Sequence, residues 1–184
     1  EAGAAERDMP EPGRDAVKLD QALICGDIDI RIAADGTWFH EGGPIGRKPL
    51  VKLFASVLRR DESGDYWLVT PAERVRIQVD DAPFVAVEVN VEGSGCYQRL
   101  IFRTNLDSEI TANAEHRLEF RPRPGGEYAP YIALGSRLEA LVLRSVYYEL
   151  VTLGVSEYEG GEEHFGVWSA GNFFSFGTPS AAGN

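Results

Sequence analysis

The sequence predicts an α+β fold built from two small, related lobes. Segments in which every second residue is apolar recur along the chain, and two segments with helical spacing each follow such strands. At 184 residues the chain suits one domain or two small lobes that share a core. We therefore expect a duplicated strand–strand–helix unit, with further strands completing a sheet in each lobe.

The first lobe is predicted to open with a β-hairpin. Residues 27–33 alternate isoleucine with charged residues, which is typical of a half-buried strand. The dipeptide Asp35-Gly36 supplies the positive φ angles that a tight hairpin turn needs. Trp38 and His40 should then share one face of the returning strand.

The first helix is predicted from a change of period after this hairpin. Pro49 is tolerated only in the first turn, so the helix should begin near Arg47 or Lys48, and Arg59-Arg60 should close its last turn. The apolar row of this helix follows the i, i+3, i+4, i+7, i+8 pattern and consists of Leu50, Leu53, Phe54, Val57 and Leu58.

The second helix is predicted over residues 136–153, where Ser136 and Glu139 have the spacing of a capping box. Its buried row would be Leu138, Leu141, Val142 and Val146. Between the two helices, alternating patterns predict strands at about 66–70, 74–80, 83–91, 97–104, 115–121 and 128–134.

The chain therefore divides into four predicted segments. Residues 1–22 form a mobile arm rich in Ala, Glu and Pro, residues 23–81 the N-terminal lobe, and residues 82–154 the C-terminal lobe. The C-terminal lobe should be a bent antiparallel sheet capped by one helix. Residues 155–184 are a glycine-rich tail whose many aromatic residues predict that part of it packs on the body or on a partner chain.

Composition disfavours several classes of partner. The net charge is −11, without a basic segment that would bind nucleic acid, and no apolar run is long enough to cross a membrane. Cys25 and Cys96 lie in no CxxC pair, so we expect two small buried side chains in a reducing compartment. The predicted location is cytoplasmic.

The glycine-rich loop before the first helix is the first candidate site. Free amides at a helix start bind anions, and Arg47 and Lys48 would add charge-assisted hydrogen bonds. The loop is not a P-loop, because its glycine spacing is one residue short and Pro49 stands where Ser or Thr would hold magnesium. The alternative is a plain turn with two solvated bases.

Aromatic and basic residues on the strands are further candidates. Trp38 or Tyr131 would stack on a planar ring, with His40 beside them, and Arg76 would meet an anion at a cleft wall. The alternatives are a Trp38 packed in the core, a His40 bonded to backbone, and an Arg76 that is solvated or paired with Asp.

Three residues of the second predicted helix complete the candidate site. Arg137, Arg144 and Tyr148 are spaced to share one side of a helix, where they would line the cleft opposite Arg47. The alternative is the exposed stripe of an amphipathic helix.

The sequence favours binding over catalysis. It has no G-x-S-x-G segment, and its adjacent carboxylate pairs, such as Asp80-Asp81, point in opposite directions on a strand. The three histidines have no ligand spacing, so neither a metal site nor a cofactor is expected. An enzyme would need clustered titratable groups, and the sequence shows no such cluster.

Several separated segments resemble one bacterial family, the domain of unknown function DUF1285. The similarity covers about residues 24–154 and lies in GDIDIRIAADGTWFHEGGPIGRKPLVKLF, YWLVTPAERVRIQVDDAPFVAVEV, FRTN and LEALVLRSVYYELV, and the tail segment FGVWSAGNFF is also similar to this family. The resemblance implies two related subdomains, the second superficially similar to a pleckstrin-homology fold. It also implies a ligand pocket between them, for a nucleotide-like molecule in signalling.

Our leading hypothesis is a module that binds a small anionic, nucleotide-like ligand between the lobes. Arg47 and Lys48 would hold a phosphate, Trp38 or Tyr131 would stack, and Arg144 would close the site. The alternative is a protein-interaction module of pleckstrin-homology type, whose aromatic tail would dock a partner or a second copy of the chain.

Overall fold

The computed structural model describes residues 24–177, so the predicted arm at residues 1–22 lies outside the described residues. The described part is mostly sheet, with two helices and two similar lobes of curled sheet. No helix within it is long and apolar enough to span a membrane.

Lobe 1 is a six-stranded sheet with one helix inserted between its third and fourth strands. The strands run in the order β3-β2-β1-β6-β5-β4, and the central pair β1–β6 is parallel whereas the other pairs are antiparallel. Its elements are β1 (Ile24–Ile32), β2 (Trp38–His40), β3 (Gly43–Pro44), α1 (Lys48–Ser56), β4 (Leu58–Arg60), β5 (Tyr66–Val69) and β6 (Arg74–Val79).

Lobe 2 repeats this strand topology. Its order is β10-β11-β12-β7-β8-β9, and its first and sixth strands, β7 and β12, again form the central parallel pair. Its elements are β7 (Phe84–Glu92), β8 (Arg99–Thr104), β9 (Glu109–Thr111), β10 (Leu118–Pro122), β11 (Tyr128–Gly135), β12 (Leu138–Val142) and α2 (Arg144–Thr152). The lobes are therefore related through six strands. The predicted strand–strand–helix repeat is wrong, because α2 follows the sixth strand whereas α1 precedes the fourth.

The first helix is shorter than predicted, and a different side of it is buried. It ends at Ser56, and Leu58 pairs with Leu68 in the sheet instead of continuing the helical row. Leu53, predicted to be buried, is 63% exposed, whereas Val51 is 6% exposed. The free energy gained by burying Leu58 in the sheet therefore outweighs the helix-favouring spacing of the apolar residues.

The second predicted helix is half strand. Residues 138–142 form β12 between β11 and β7, where Leu141 faces one side of the sheet and Val142 the other. A strand that is buried on both faces is apolar at nearly every position, so its pattern also fits a helix. Ser136 and Arg137 have φ angles of 51° and 63° in the β11–β12 turn, so the predicted capping box and shared helix side are wrong.

The tail forms a third sheet that packs on lobe 2. It is an antiparallel meander of β13 (Val155–Glu159), β14 (Glu162–Ser169) and β15 (Asn172–Gly177). Val167 and Phe174 are 0% and 2% exposed and join the core beneath α2. A Cβ at Gly166 would lie 2.1 Å from the Phe174 carbonyl oxygen, so this position in the β14–β15 pair requires glycine.

Cysteine placement corrects one prediction. Cys96 is exposed, in a short 3-10 turn at Gly95–Tyr97, and not a buried core residue. The side chain of Cys25 lies outside the described part of the structure.

Candidate functional site

A groove between the two lobes is the strongest candidate site. This interlobe groove has a volume of about 340 Å³. Lobe 1 contributes Ala34 and Asp35 from the β1–β2 turn. Lobe 2 contributes the start of α2 and the β10–β11 hairpin, chiefly through Arg123, Tyr128, Leu143, Arg144 and Tyr147.

The lobe 1 wall depends on a tightly packed turn. Gly36 has a φ of +86°, and a Cβ there would lie 2.8 Å from the Asn105 amide nitrogen and 3.0 Å from Val85. Only glycine lets this turn approach lobe 2 so closely. The Asp35 carboxylate accepts a 2.9 Å hydrogen bond from the Thr37 backbone N–H, which holds the pKa of Asp35 below its usual value.

Arg144 is the first residue of α2 and lines the lobe 2 wall. The preceding residue, Leu143, has no side-chain cap to offer, and the first turn contains no acidic residue. The positive end of the helix dipole is therefore not neutralised within the helix. The Arg144 guanidinium lies 3.5 Å from the Glu127 carboxylate, but both side chains are 70% exposed, so this ion pair is weak.

Aromatic rings form one rim of the groove. Phe120 lies between Tyr128 and Tyr147, with ring centroids 5.6 Å from each. Burial against this cluster raises the pKa of Tyr147. Tyr128 is 63% exposed, so its ring is accessible to a ligand.

The linker between the lobes, residues 80–83, lies beside the groove. Two adjacent carboxylates of the linker bind side chains of the two lobes. Asp80 pairs with Arg31 of lobe 1. Asp81, whose side chain is 5% exposed, accepts a 2.6 Å hydrogen bond from the Tyr131 hydroxyl and a 3.0 Å bond from the Arg123 guanidinium, both in lobe 2. The two carboxylates therefore contact one lobe each, Asp80 through Arg31 and Asp81 through Tyr131 and Arg123.

Tyr131, predicted to stack on a ligand, lies within this ionic cluster. The Arg121 guanidinium lies over its ring at 3.9 Å from the centroid. Burial and the bond to Asp81 raise the pKa of Tyr131, so its hydroxyl stays protonated and donates to Asp81.

The predicted phosphate loop contacts lobe 2 rather than the groove. Lys48 and Lys52 lie 2.9 and 3.0 Å from the Asp107 carboxylate in the β8–β9 turn. These lysines lower the pKa of Asp107 to about 2. Arg47 is exposed at the N-cap of α1.

The other predicted site residues are dispersed. Trp38 is 2% exposed and stacks on Phe54, and its indole nitrogen has no hydrogen-bond partner among residues 24–177. His40 lies at the mouth of a separate apolar pocket in lobe 1. Arg76 lies 3.7 Å from Asp65 and lines an open depression of about 700 Å³.

The last two predicted site residues, Arg137 and Tyr148, lie on lobe 2 and do not line the groove. Arg137 lies 3.3 Å from Glu62, and Tyr148 is 59% exposed on α2. Of the nine predicted residues, all within the described range, only Arg144 lines the groove. Sequence reasoning missed Arg123, Tyr128 and Tyr147. The segment RPRPGGEY, in which arginines and a tyrosine flank a glycine turn, is the signal that points to the first two.

The architecture is that of a two-lobed, mostly β protein with a groove between duplicated sheets. The chain belongs to the DUF1285 family, as its resemblance predicted. Residues 17–82 match the domain of unknown function DUF1285, N-terminal domain, and residues 83–176 match the protein of unknown function DUF1285, C-terminal domain. The match extends beyond the predicted 24–154 at both ends and includes the tail segment FGVWSAGNFF.

Two solved structures of this family are similar to the chain. A DUF1285 family protein from Silicibacter pomeroyi DSS-3 is 44% identical, over 95% of this chain and 93% of that chain, with a TM-score of 0.81. A DUF1285 family protein from Shewanella baltica OS155 is 26% identical, over 68% of this chain and 91% of that chain, with a TM-score of 0.52. No curated protein matches the chain.

Proposed function

We propose that the protein binds a small anionic ligand carrying a planar ring, such as a nucleotide-like signalling molecule, in the interlobe groove. The observation that carries the proposal is the start of α2. Its uncapped first turn and the loosely paired Arg144 border a groove that both lobes form. The role is binding without catalysis.

The anion would lie at the first turn of α2. Backbone amides at a helix start attract negative charge, and Arg144 would exchange its exposed contact with Glu127 for a charge-assisted bond to the ligand. Arg123 would add positive charge while it stays bonded to Asp81. This arrangement replaces the predicted role of Arg47 and Lys48, since Asp107 already holds Lys48.

The ring of the ligand would rest on the aromatic rim. Tyr128 is the accessible ring, and Phe120 and Tyr147 hold it in place from behind. Stacking of a base on an aromatic side chain contributes about 1–3 kcal/mol. A ligand with both parts should therefore bind more tightly than phosphate alone or a nucleoside alone.

Calorimetric titration of the protein with a nucleoside monophosphate, the matching nucleoside and inorganic phosphate tests the proposal. We expect the monophosphate to bind most tightly, and Arg144→Ala to weaken it about tenfold, as for loss of a charged hydrogen bond. The matched control is Arg137→Ala, which removes another exposed arginine that is paired with a glutamate in a turn.

Two results would contradict this function. One is the absence of binding by any nucleotide in a broad panel. The other is an equal loss of affinity in Arg137→Ala and Arg144→Ala, because that would indicate a nonspecific charge effect.

We also propose, as a second role, a pleckstrin-homology-like interaction module that self-associates through the tail. Lobe 2 supports this as a curled sheet followed by a C-terminal helix. Among the described strands β13 pairs only with β14, and Tyr158 on β13 is 74% exposed. The tail phenylalanines support it less, since Phe174 is buried in the core of the same chain.

Light scattering over a range of protein concentrations measures this association. We expect a concentration-dependent dimer that Tyr158→Ser weakens, with Tyr148→Ser on the exposed side of α2 as the control. A monomer at every concentration would exclude tail-mediated association.

A further inference from the structure

A second cavity lies inside lobe 1, between α1 and the sheet. This helix pocket has a volume of about 280 Å³. Its sheet wall consists of Ile28, Ile30, Leu68 and Val75, and its helix wall of Leu50 and Phe54. It shares no lining residue with the interlobe groove, so an inference about it is independent of the proposed function.

The helix pocket exists because α1 is only partly seated on the sheet. The helix has nine residues, and Val51 is the one that is fully buried. Leu50 and Phe54 are partly buried and face the space that remains. Phe54 is held at this position by stacking on Trp38, with ring centroids 6.2 Å apart.

The pocket walls favour an apolar occupant. Water in a cavity needs polar partners, and the sheet and helix walls supply only aliphatic and aromatic side chains. The volume is just below the ~300 Å³ at which pockets begin to take drug-sized molecules, so the occupant is small.

The polar residues in the lining are Thr70, Glu73 and His40, and Glu73 brings a carboxylate that accepts hydrogen bonds. Thr70 and Glu73 are fixed by a mutual turn, in which the Glu73 N–H donates to the Thr70 hydroxyl at 3.2 Å. The Glu73 carboxylate has no ion-pair partner within residues 24–177. His40 completes the mouth, 4.0 Å from the carboxylate of Glu41.

We infer that the helix pocket binds a small amine with an aliphatic or aromatic body. The body fills the space between Leu50, Phe54 and the sheet, and the ammonium group lies at the mouth near Glu73 and Thr70. Glu73 at the mouth repels a carboxylate head, so fatty acids of equal chain length bind more weakly. The charge at the mouth thus selects among amphiphiles that the apolar walls would accept equally.

Octylamine, 1-octanol and octanoate have the same body and different heads, so they test the inference directly. Each is titrated into the full-length protein while binding is followed by calorimetry and by tryptophan fluorescence, to which Trp38, stacked on Phe54, contributes with Trp67 and Trp168. We expect saturable binding in the order amine, alcohol, carboxylate. Glu73→Gln should weaken octylamine about two- to fivefold, as for loss of an exposed ion pair, and should not weaken octanol.

A pair of substitutions on α1 locates the site. Leu50→Phe should fill the pocket and reduce octylamine affinity at least about tenfold. Leu53→Phe adds the same ring on the same helix at a side chain that is 63% exposed, and it should leave binding unchanged. Circular dichroism shows whether Leu50→Phe folds, and the Glu73→Gln comparison tests the site if it does not.

The inference is overturned if octylamine does not bind saturably or if octanoate binds as tightly as octylamine. It is equally overturned if Leu53→Phe reduces binding as much as Leu50→Phe. Since none of these ligands carries a phosphate and none of these variants touches the groove, failure here leaves the nucleotide titration unaffected.

Discussion

The two lobes share one strand topology but cover their apolar faces differently. In both, the first and sixth strands form a central parallel pair flanked by antiparallel strands. Lobe 2 buries one face under α2 and the tail sheet, so that Val146, Val167 and Phe174 close its core. Among residues 24–177, the corresponding core of lobe 1 is covered by α1, with Phe84, Leu106 and Leu138 of lobe 2 also packed against it, and the helix pocket remains.

This difference shows how a duplicated sheet acquires two kinds of cavity. Each sheet needs a covering layer because one face is apolar. Where the cover is complete, the lobe supplies only an outer wall, as lobe 2 does in the interlobe groove. Where the cover is a short helix, the lobe keeps an internal cavity. The following predictions test this comparison.

The largest effect is expected at Gly166, where β14 pairs with β15 in the tail sheet. Gly166→Ala places a methyl group 2.1 Å from the Phe174 carbonyl oxygen, a backbone atom that cannot move aside. We expect a loss of about 3 kcal/mol or more in the free energy of unfolding, measured by urea denaturation.

The control is Gly46→Ala in lobe 1, where an added Cβ meets nothing within 4 Å. It should change the free energy of unfolding by no more than about 0.5 kcal/mol. Similar losses in the free energy of unfolding for the two variants would mean that the tail sheet does not close the core of lobe 2.

A smaller effect is expected at the linker. Tyr131→Phe removes the hydroxyl that donates to Asp81 and leaves a buried carboxylate oxygen without this partner. We expect a cost of about 1–3 kcal/mol in the free energy of unfolding. Tyr148→Phe removes a hydroxyl from a side chain that is 59% exposed, so its effect should be negligible. Equal effects would show that the Asp81 contact does not hold lobe 2 to the linker.

The smallest effect is expected at the contact between α1 and the β8–β9 turn. The pKa of Asp107 is lowered to about 2 in the folded chain, below the ~3.9 of an unfolded Asp. Because the folded pKa is the lower one, the contribution is fully present above pH ~4 and is lost as the pH falls towards 2.

Denaturation midpoints of the natural protein and Asp107→Asn, measured from neutral pH down to this range, test the contact. The natural protein should be slightly more stable at neutral pH, and the difference should vanish in acid. A difference that does not change with pH would mean that Lys48 and Lys52 do not stabilise the folded state through this carboxylate.

Much of lobe 1 could be predicted because its signals are local. The alternation in β1, the turn at Asp35-Gly36 and the placement of Pro49 in the first turn of α1 each depend on a few consecutive residues. Local signals failed at residues 138–142, since an apolar run suits both a buried strand and a helix. Residues 138–142 form a strand because they pair with β7, where Ala140 lies opposite Phe84.

The candidate site was predictable only in part for the same reason. Arg144 was predicted from its spacing to Arg137 and Tyr148 along one helix, but α2 begins at Arg144 and does not include Arg137. Lys48 has the positive charge that a phosphate site needs, but in the structure it pairs with Asp107. Because Asp107 is distant in the sequence, no local pattern could predict this ion pair.

By itself the sequence determined the strands with clear alternation, such as β1, β6 and β7, together with the family and the presence of two related lobes, because period-two alternation and turn residues act over short distances. Only the tertiary structure decided where each helix ends, which basic residues are already paired and which surfaces enclose a cavity. Those outcomes depend on which distant segments of the chain pack against an apolar residue or pair with a carboxylate. No local pattern encodes these long-range contacts.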